Sequence, residues 1–219
     1  MASITLGAGI TVGAGISATT TGTAPVLLSL DGSTFNGWQL GTTPTIDTVV
    51  GNPAPSYKIT AANHSFKRDF GQTFHNKTIT FDWRPQAGAD TGFLFAQNQT
   101  GNGSNRVTLR MVQRATAYKQ GLGNVDNGGW LYLGDPSYSP IPETTAIFTT
   151  ANVWYNIKIQ ITSARVCTWY VNDVLQLSTY TIPVGYTTAN TTDTWFGFLG
   201  NNLGGTWNVD NFKIYNGIV

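Results

Sequence analysis

Every even position from Ile4 to Ala18 is aliphatic (Ile4, Leu6, Ala8, Ile10, Val12, Ala14, Ile16, Ala18), and every odd position between them is Thr, Gly or Ser. Period-two alternation places all the apolar groups on one face of an extended strand. Within it one hexad is read twice, Leu6-Gly-Ala-Gly-Ile-Thr11 and Val12-Gly-Ala-Gly-Ile-Ser17. Fifteen residues is long for one strand, and the glycines give up backbone entropy without adding side chains, so the segment needs a partner. Two readings stay open. In one, residues 1–23 are an assembly arm and linker. Ile4, Leu6, Ile10, Val12 and Ile16 then bury on another subunit, and the glycines admit a second backbone. In the other, the segment is a first strand folded back on its own domain.

Residues 24–219 fit one β domain, because sandwiches and barrels reach this size as a unit. The chain holds 33 Thr, 25 Gly, 9 Pro and 12% aromatic residues, an all-β composition. Charged residues are only 11% and the net charge is +1, which gives no electrostatic reason to expect nucleic acid or an anionic membrane as partner. A single cysteine, Cys167, excludes an intrachain disulfide and a cysteine-based zinc site. No signal-peptide pattern follows Met1 and no stretch is long enough to span a bilayer, so conventional secretion is not expected.

Strand patterns recur at 25–30, 57–61, 65–70, 78–83, 92–97 and 107–113, with turn chemistry from Asp31 to Trp38. In 78–83, Ile79, Phe81 and Trp83 alternate with Thr78, Thr80 and Asp82, the mark of one core face and one wet face. Residues 119–143 read as a long loop around one short strand, and long loops in compact domains are often functional. Regular structure resumes at 146–148. Then Val153, Tyr155, Ile157, Ile159 and Ile161 alternate with polar residues, and a tight turn at Thr162-Ser-Ala leads into 165–171. Strands at 174–178, 194–199 and 209–215 follow. About a dozen strands with no convincing helix predict two antiparallel sheets packed face to face.

The run Trp154-Tyr-Asn-Ile-Lys-Ile-Gln-Ile161, then Thr168-Trp-Tyr-Val-Asn-Asp-Val-Leu-Gln176, then Gly197-Phe-Leu-Gly200 and Val209-Asp-Asn-Phe-Lys-Ile-Tyr215 resembles the concanavalin A-like lectin/glucanase superfamily, especially its laminin G-like members. The resemblance covers about residues 25–217 and implies a jelly-roll sandwich whose last strand pairs near the start of the domain. Asp173 stands where that family usually has Gly, a mild departure because Asp tolerates the left-handed conformation. The paired Gly-x-Gly-Ile-Thr repeats resemble N-termini of tailed-phage structural proteins of the cyanophage type.

A glycoside hydrolase needs two carboxylates flanking the bond. The one glutamate, Glu143, lies in a Pro-rich loop, and the only tempting aspartate pairs are Asp82 with Asp90 and Asp126 with Asp135. Neither carries the glucanase motif, so no catalytic residue is assigned. His64, His75 and Cys167 make no nucleophilic constellation, and Cys167 reads as a buried, inert thiol. For calcium, Asn124, Asp126, Asn127 and Asp135 supply oxygens without a recognisable loop spacing, and no cofactor or metal is assigned. For sugars, Trp130, Tyr132 and Tyr138 are the first platforms, with Asp126 and Asn127 as polar partners and Trp207 as an outside candidate; core packing is the competing role for each. Arg106, Arg110 and Arg114 share one strand face, read as solvated or as a subunit contact. The expectation is a non-enzymatic virion structural protein, a capsid decoration or tail/fibre component. Its partners would be other virion proteins, further copies of itself and host-surface polysaccharide. The alternative is a free carbohydrate-binding module or lectin.

Overall fold

The computed structural model describes residues 24–41, 44–61, 65–97, 106–115, 121–126, 129–130, 146–181, 194–200 and 205–219. The chain runs through β1 (Val26–Leu30), β2 (Trp38–Leu40), β3 (Thr45–Asp47), β4 (Ser56–Ile59), β5 (Ser65–Asp69), β6 (Lys77–Pro85), β7 (Asp90–Gln97) and β8 (Arg106–Val112). It continues through β9 (Gly121–Asp126), β10 (Gly129–Trp130), β11 (Tyr155–Ile161), β12 (Val166–Val171), β13 (Val174–Thr181), β14 (Trp195–Gly200) and β15 (Trp207–Asn216). Among the described residues there is no helix.

The strands form two antiparallel sheets. One has eight strands, in the order β13-β12-β11-β6-β15-β4-β3, with β1 also paired to β15. The other has seven, in the order β10-β9-β8-β7-β14-β5-β2. β15 is long enough to pair with β6 along its whole length on one edge, while β4 and β1 share the other edge end to end. That seals the start of the domain to its end, as the closing Val209–Tyr215 pattern predicts.

Alternation decides what goes inside. From β11, Tyr155, Ile157, Ile159 and Ile161 point inward, while Asn156, Lys158 and Gln160 point out. Inner faces of the two sheets meet in an aromatic layer: Phe81 lies 5.0 Å from Phe93, Phe93 4.9 Å from Phe198, and Phe196 stacks on Phe212 at 4.7 Å and 2°. Such pairs add specificity to the area term that drives burial. The Trp83 indole N–H donates to Thr91 Oγ1 across the sandwich at 3.1 Å.

Turns follow their local chemistry. β11 and β12 join through 162–165, where Thr162 N–H donates to the Val166 carbonyl and Arg165 takes a positive φ of 65°. At the β12–β13 turn Asn172 and Asp173 sit at φ 50° and 61°, so Asp173 does occupy a left-handed position, as expected of a residue in place of Gly. Two details differ from the sequence reading. Residues 146–148 contribute only an isolated parallel bridge between Phe148 and Gln113, because Phe148 fills the core between Trp83 and Tyr155 and does not pair along a strand. The turn region at 31–38 leads into two short strands that the sequence pattern does not show, β2 and β3, one on each sheet.

Candidate functional site

On the outward side of the eight-stranded sheet, Asp82 and Asp210 stand opposite each other on β6 and β15. The Asn156 amide donates to Asp82 Oδ1 at 2.9 Å, and Asn211 and Asn52 donate to its Oδ2 at 2.8 and 3.1 Å. Asp210 accepts the backbone N–H of Asn52 at 2.6 Å and of Asn211 at 2.7 Å. Burial raises the Asp210 carboxyl above its ordinary value; those two N–H groups oppose the shift, and the negative charges of Asp82 and Asp31 add to it. Asn211, at φ 51° in a bulge of β15, supplies both a backbone and a side-chain donor. Each carboxylate oxygen is taken by an amide, so this cluster fastens the segment around Asn52 to the sheet and leaves no acid–base pair open.

Beside it, Lys58 and Asp47 form an ion pair at 2.9 Å. Burial would raise the Asp47 carboxyl, but Lys58, the Val50 and Val49 amides and Asn208 outweigh it and bring it down to about 2. Among the described residues no group of three or more His, Cys, Asp or Glu side chains is placed to hold a metal.

The outward face of the seven-stranded sheet has a different character. Leu94, Val112 and Trp195 are buried there, outside the main core cluster. Arg110 grips Asp90 with both ends of its guanidinium, Nε to Oδ1 at 2.9 Å and Nη2 to Oδ2 at 2.6 Å, and the side chains are 8% and 0% exposed. Two residues along the same face of β8, Thr108 has a buried hydroxyl with no hydrogen-bond partner among the described residues. Lys67 Nζ lies 5.5 Å from the centre of the Trp195 ring, near enough for a cation–π attraction. Asp69, opposite Trp195 in register, accepts the Gly71 N–H at 2.8 Å and the Thr194 hydroxyl. Gly197 lets β14 and β5 approach closely here, since a Cβ at that position would come 2.5 Å from the Phe66 carbonyl oxygen. Of these groups Lys67 and Asp69 reach the surface beside the Trp195 ring, whereas Arg110, Asp90 and Thr108 are buried and Arg110 and Asp90 satisfy each other.

The sequence candidates fall unevenly on this frame. Asp126 and Trp130 lie in the β9–β10 hairpin at one edge of the seven-stranded sheet; register pairs Trp130 with Val125, Val125 with Arg106, and Asp126 with Gly129. Asn127, Tyr132, Tyr138 and Asp135 lie outside the described residues, as do His64 and the arm residues Ile4, Leu6, Ile10, Val12 and Ile16. Trp207 is fully buried between Phe66 and Phe198, which removes it as a sugar platform. The arginine stripe is corrected too: Arg110 is not solvated but buried and locked to Asp90, and Arg114 lies beyond the end of β8. Asp82 and Asp90 point out of opposite faces of the sandwich and cannot flank one bond. Cys167 is buried in β12, where desolvation pushes its thiol far above the ordinary range.

Sequence reasoning passed over Trp195, Lys67 and Asp69, and weighed Asp90 only as a partner of Asp82. For Trp195 the signal was present, because alternation in 195–199 sets Trp195, Gly197 and Leu199 opposite the core residues Phe196 and Phe198.

No family model matches the chain, and no curated protein matches it. Solved structures do. Cellulose induced protein Cip1 aligns with a TM-score of 0.61 at 14% identity, over 88% of this chain and 98% of that one. A carbohydrate esterase of the Shiga toxin-encoding bacteriophage phi24B aligns at 0.59 and 12%, over 90% and 100%. The Emp46p carbohydrate recognition domain, as a point mutant, aligns at 0.58 and 11%, also over 90% and 100%. At these identities the likeness is one of fold, and this chain is a lectin-like jelly-roll sandwich.

Proposed function

We propose that this protein is a non-catalytic glycan-binding domain that holds a polysaccharide on the outward face of its seven-stranded sheet. The observation that carries the reading is that the outward face of this sheet, on a lectin-like sandwich, presents Lys67 and Asp69 beside the rim of the Trp195 ring. The β9–β10 hairpin, which carries Asp126 and Trp130, extends the same sheet, and these two are assigned to the sugar together with Asn127, Tyr132 and Tyr138. Among solved structures of this fold, one is a carbohydrate recognition domain and one a carbohydrate-binding module, CBM66 of Bacillus subtilis, aligned with a TM-score of 0.52.

The proposal extends to where the domain works. The alternating residues 4–18 suit a docking strand, and that pattern is the ground for a place on a virion, as a capsid decoration or a tail or fibre component. An array of bacterial surface polysaccharides tests the binding half. Specific retention of the full chain that drops about thirtyfold or more in Trp130→Ala is expected, the loss typical of a central aromatic anchor. Release of sugar products from any arrayed glycan would instead make the protein an enzyme.

A further inference from the structure

Among the described residues β1 pairs only with β15, and none of them lies as a strand along its other edge. Open edges are normally blunted by charge or proline. Val26–Leu30 carries neither, and Val26 and Leu27 are 50% and 37% exposed. Leu28 and Leu30 lie against the core but are only partly buried, so the sandwich is incompletely covered along this edge. A strand added here would take up the free N–H and C=O groups and shield those leucines.

The chain carries a segment of matching chemistry. Residues 4–18 are uncharged and alternate aliphatic with Thr, Ser and Gly, so one face suits the apolar margin beside Leu28 and Leu30 and the other suits solvent. Length decides whose segment it is. At about 3.3 Å per residue the fifteen residues span about 50 Å, whereas β1 is 5 residues long. To lie on its own β1 the segment would have to reverse within residues 19–25, a loop longer than most hairpins use, and ten of its residues would find no edge. Between two copies, each segment has both the partner's β1 and the partner's segment to pair with.

We propose that the segment Ile4–Ala18 of a second copy of this chain adds to the free edge of β1, so that two copies exchange strands. This rests on reading residues 1–23 as an assembly arm and is independent of the sugar.

Two single-cysteine variants of the full chain with different tags, Thr11→Cys and Leu27→Cys, are mixed under oxidising conditions; native Cys167 is buried and does not compete. A disulfide-linked product carrying both tags is expected, along with a full-length dimer by light scattering. Ile10→Lys with Val12→Lys should weaken that dimer by about a hundredfold or more, the loss of two buried aliphatic contacts. Val26→Lys with Leu27→Lys, at exposed positions, should do the same without unfolding the domain. A monomeric full chain overturns the proposal. So does a double variant, Thr11→Cys with Leu27→Cys, whose link closes within one chain at high dilution. Glycan retention measured on the same samples is a separate readout: a dimer that binds no sugar sinks the lectin reading alone, and a sugar-binding monomer sinks the exchange alone.

Discussion

Arg110 is the residue whose role depends most on its neighbour. It is buried against Asp90, and a buried ion pair is costly to break because the survivor keeps an uncompensated charge. Arg110→Met should therefore lower stability by about 3–5 kcal/mol in urea unfolding, and Asp90→Leu added to it should restore much of the loss. At Asp47 the argument is one of pH. Its folded carboxyl is held at about 2, below the unfolded value of about 3.9, so its contribution is complete above about pH 4 and is lost as pH falls through about 2. Asp210 works the other way: its carboxyl is raised in the fold, so acid favours the folded state through this group as pH falls through that raised value. Stability measured from pH 2 to 6 should show Asp47→Asn less stable than the parent at pH 6, with the gap closing toward pH 2. None of these pairings is readable from sequence. Asp90 and Arg110 are 20 residues apart, and only the register of β7 on β8 brings them together.

Among elements, those with strict alternation are the ones the sequence places well. β6, β11 and β12 are anchored by Ile79, Phe81, Trp83, Ile157, Ile159 and Trp169, and a shift of one residue would turn all of these toward solvent. Short elements such as β2 and β3 carry too few residues to show a period, and they form by pairing with the edges that β5 and β4 offer. The β12–β13 turn allows a signed prediction. Asp173 pays for its φ of 61° and gains an exposed ion pair with Lys158, and exposed pairs contribute little. Asp173→Gly should raise stability by about 0.5 kcal/mol, read as a higher urea midpoint at unchanged slope. A lower midpoint would mean that the Lys158 contact outweighs the backbone.

For the whole molecule, Thr, Gly and aromatic content together with a dozen alternating stretches is enough to specify a two-sheet sandwich, because few other arrangements bury so many one-sided strands. Which of seven tryptophans faces outward is a matter of pairing: Trp207 lies on the inner side of β15 and Trp195 on the outer side of β14, although both begin a strand. The free edge of β1 is likewise a property of the assembled sheet, since the unused side of a strand shows only when its neighbours are known.

Calorimetric titration of the full chain with the polysaccharide retained best on the array, alongside Trp130→Ala and Lys67→Met, tests the glycan-binding account most directly. The account predicts saturable binding with no product formed, weakened in both variants while each keeps its parent fold; Lys67 is half-buried on the outward face, so Lys67→Met removes the charge and keeps the packing of its stem. Binding that is unchanged in both variants, or absent from every polysaccharide, would contradict the placing of a sugar on the seven-stranded sheet.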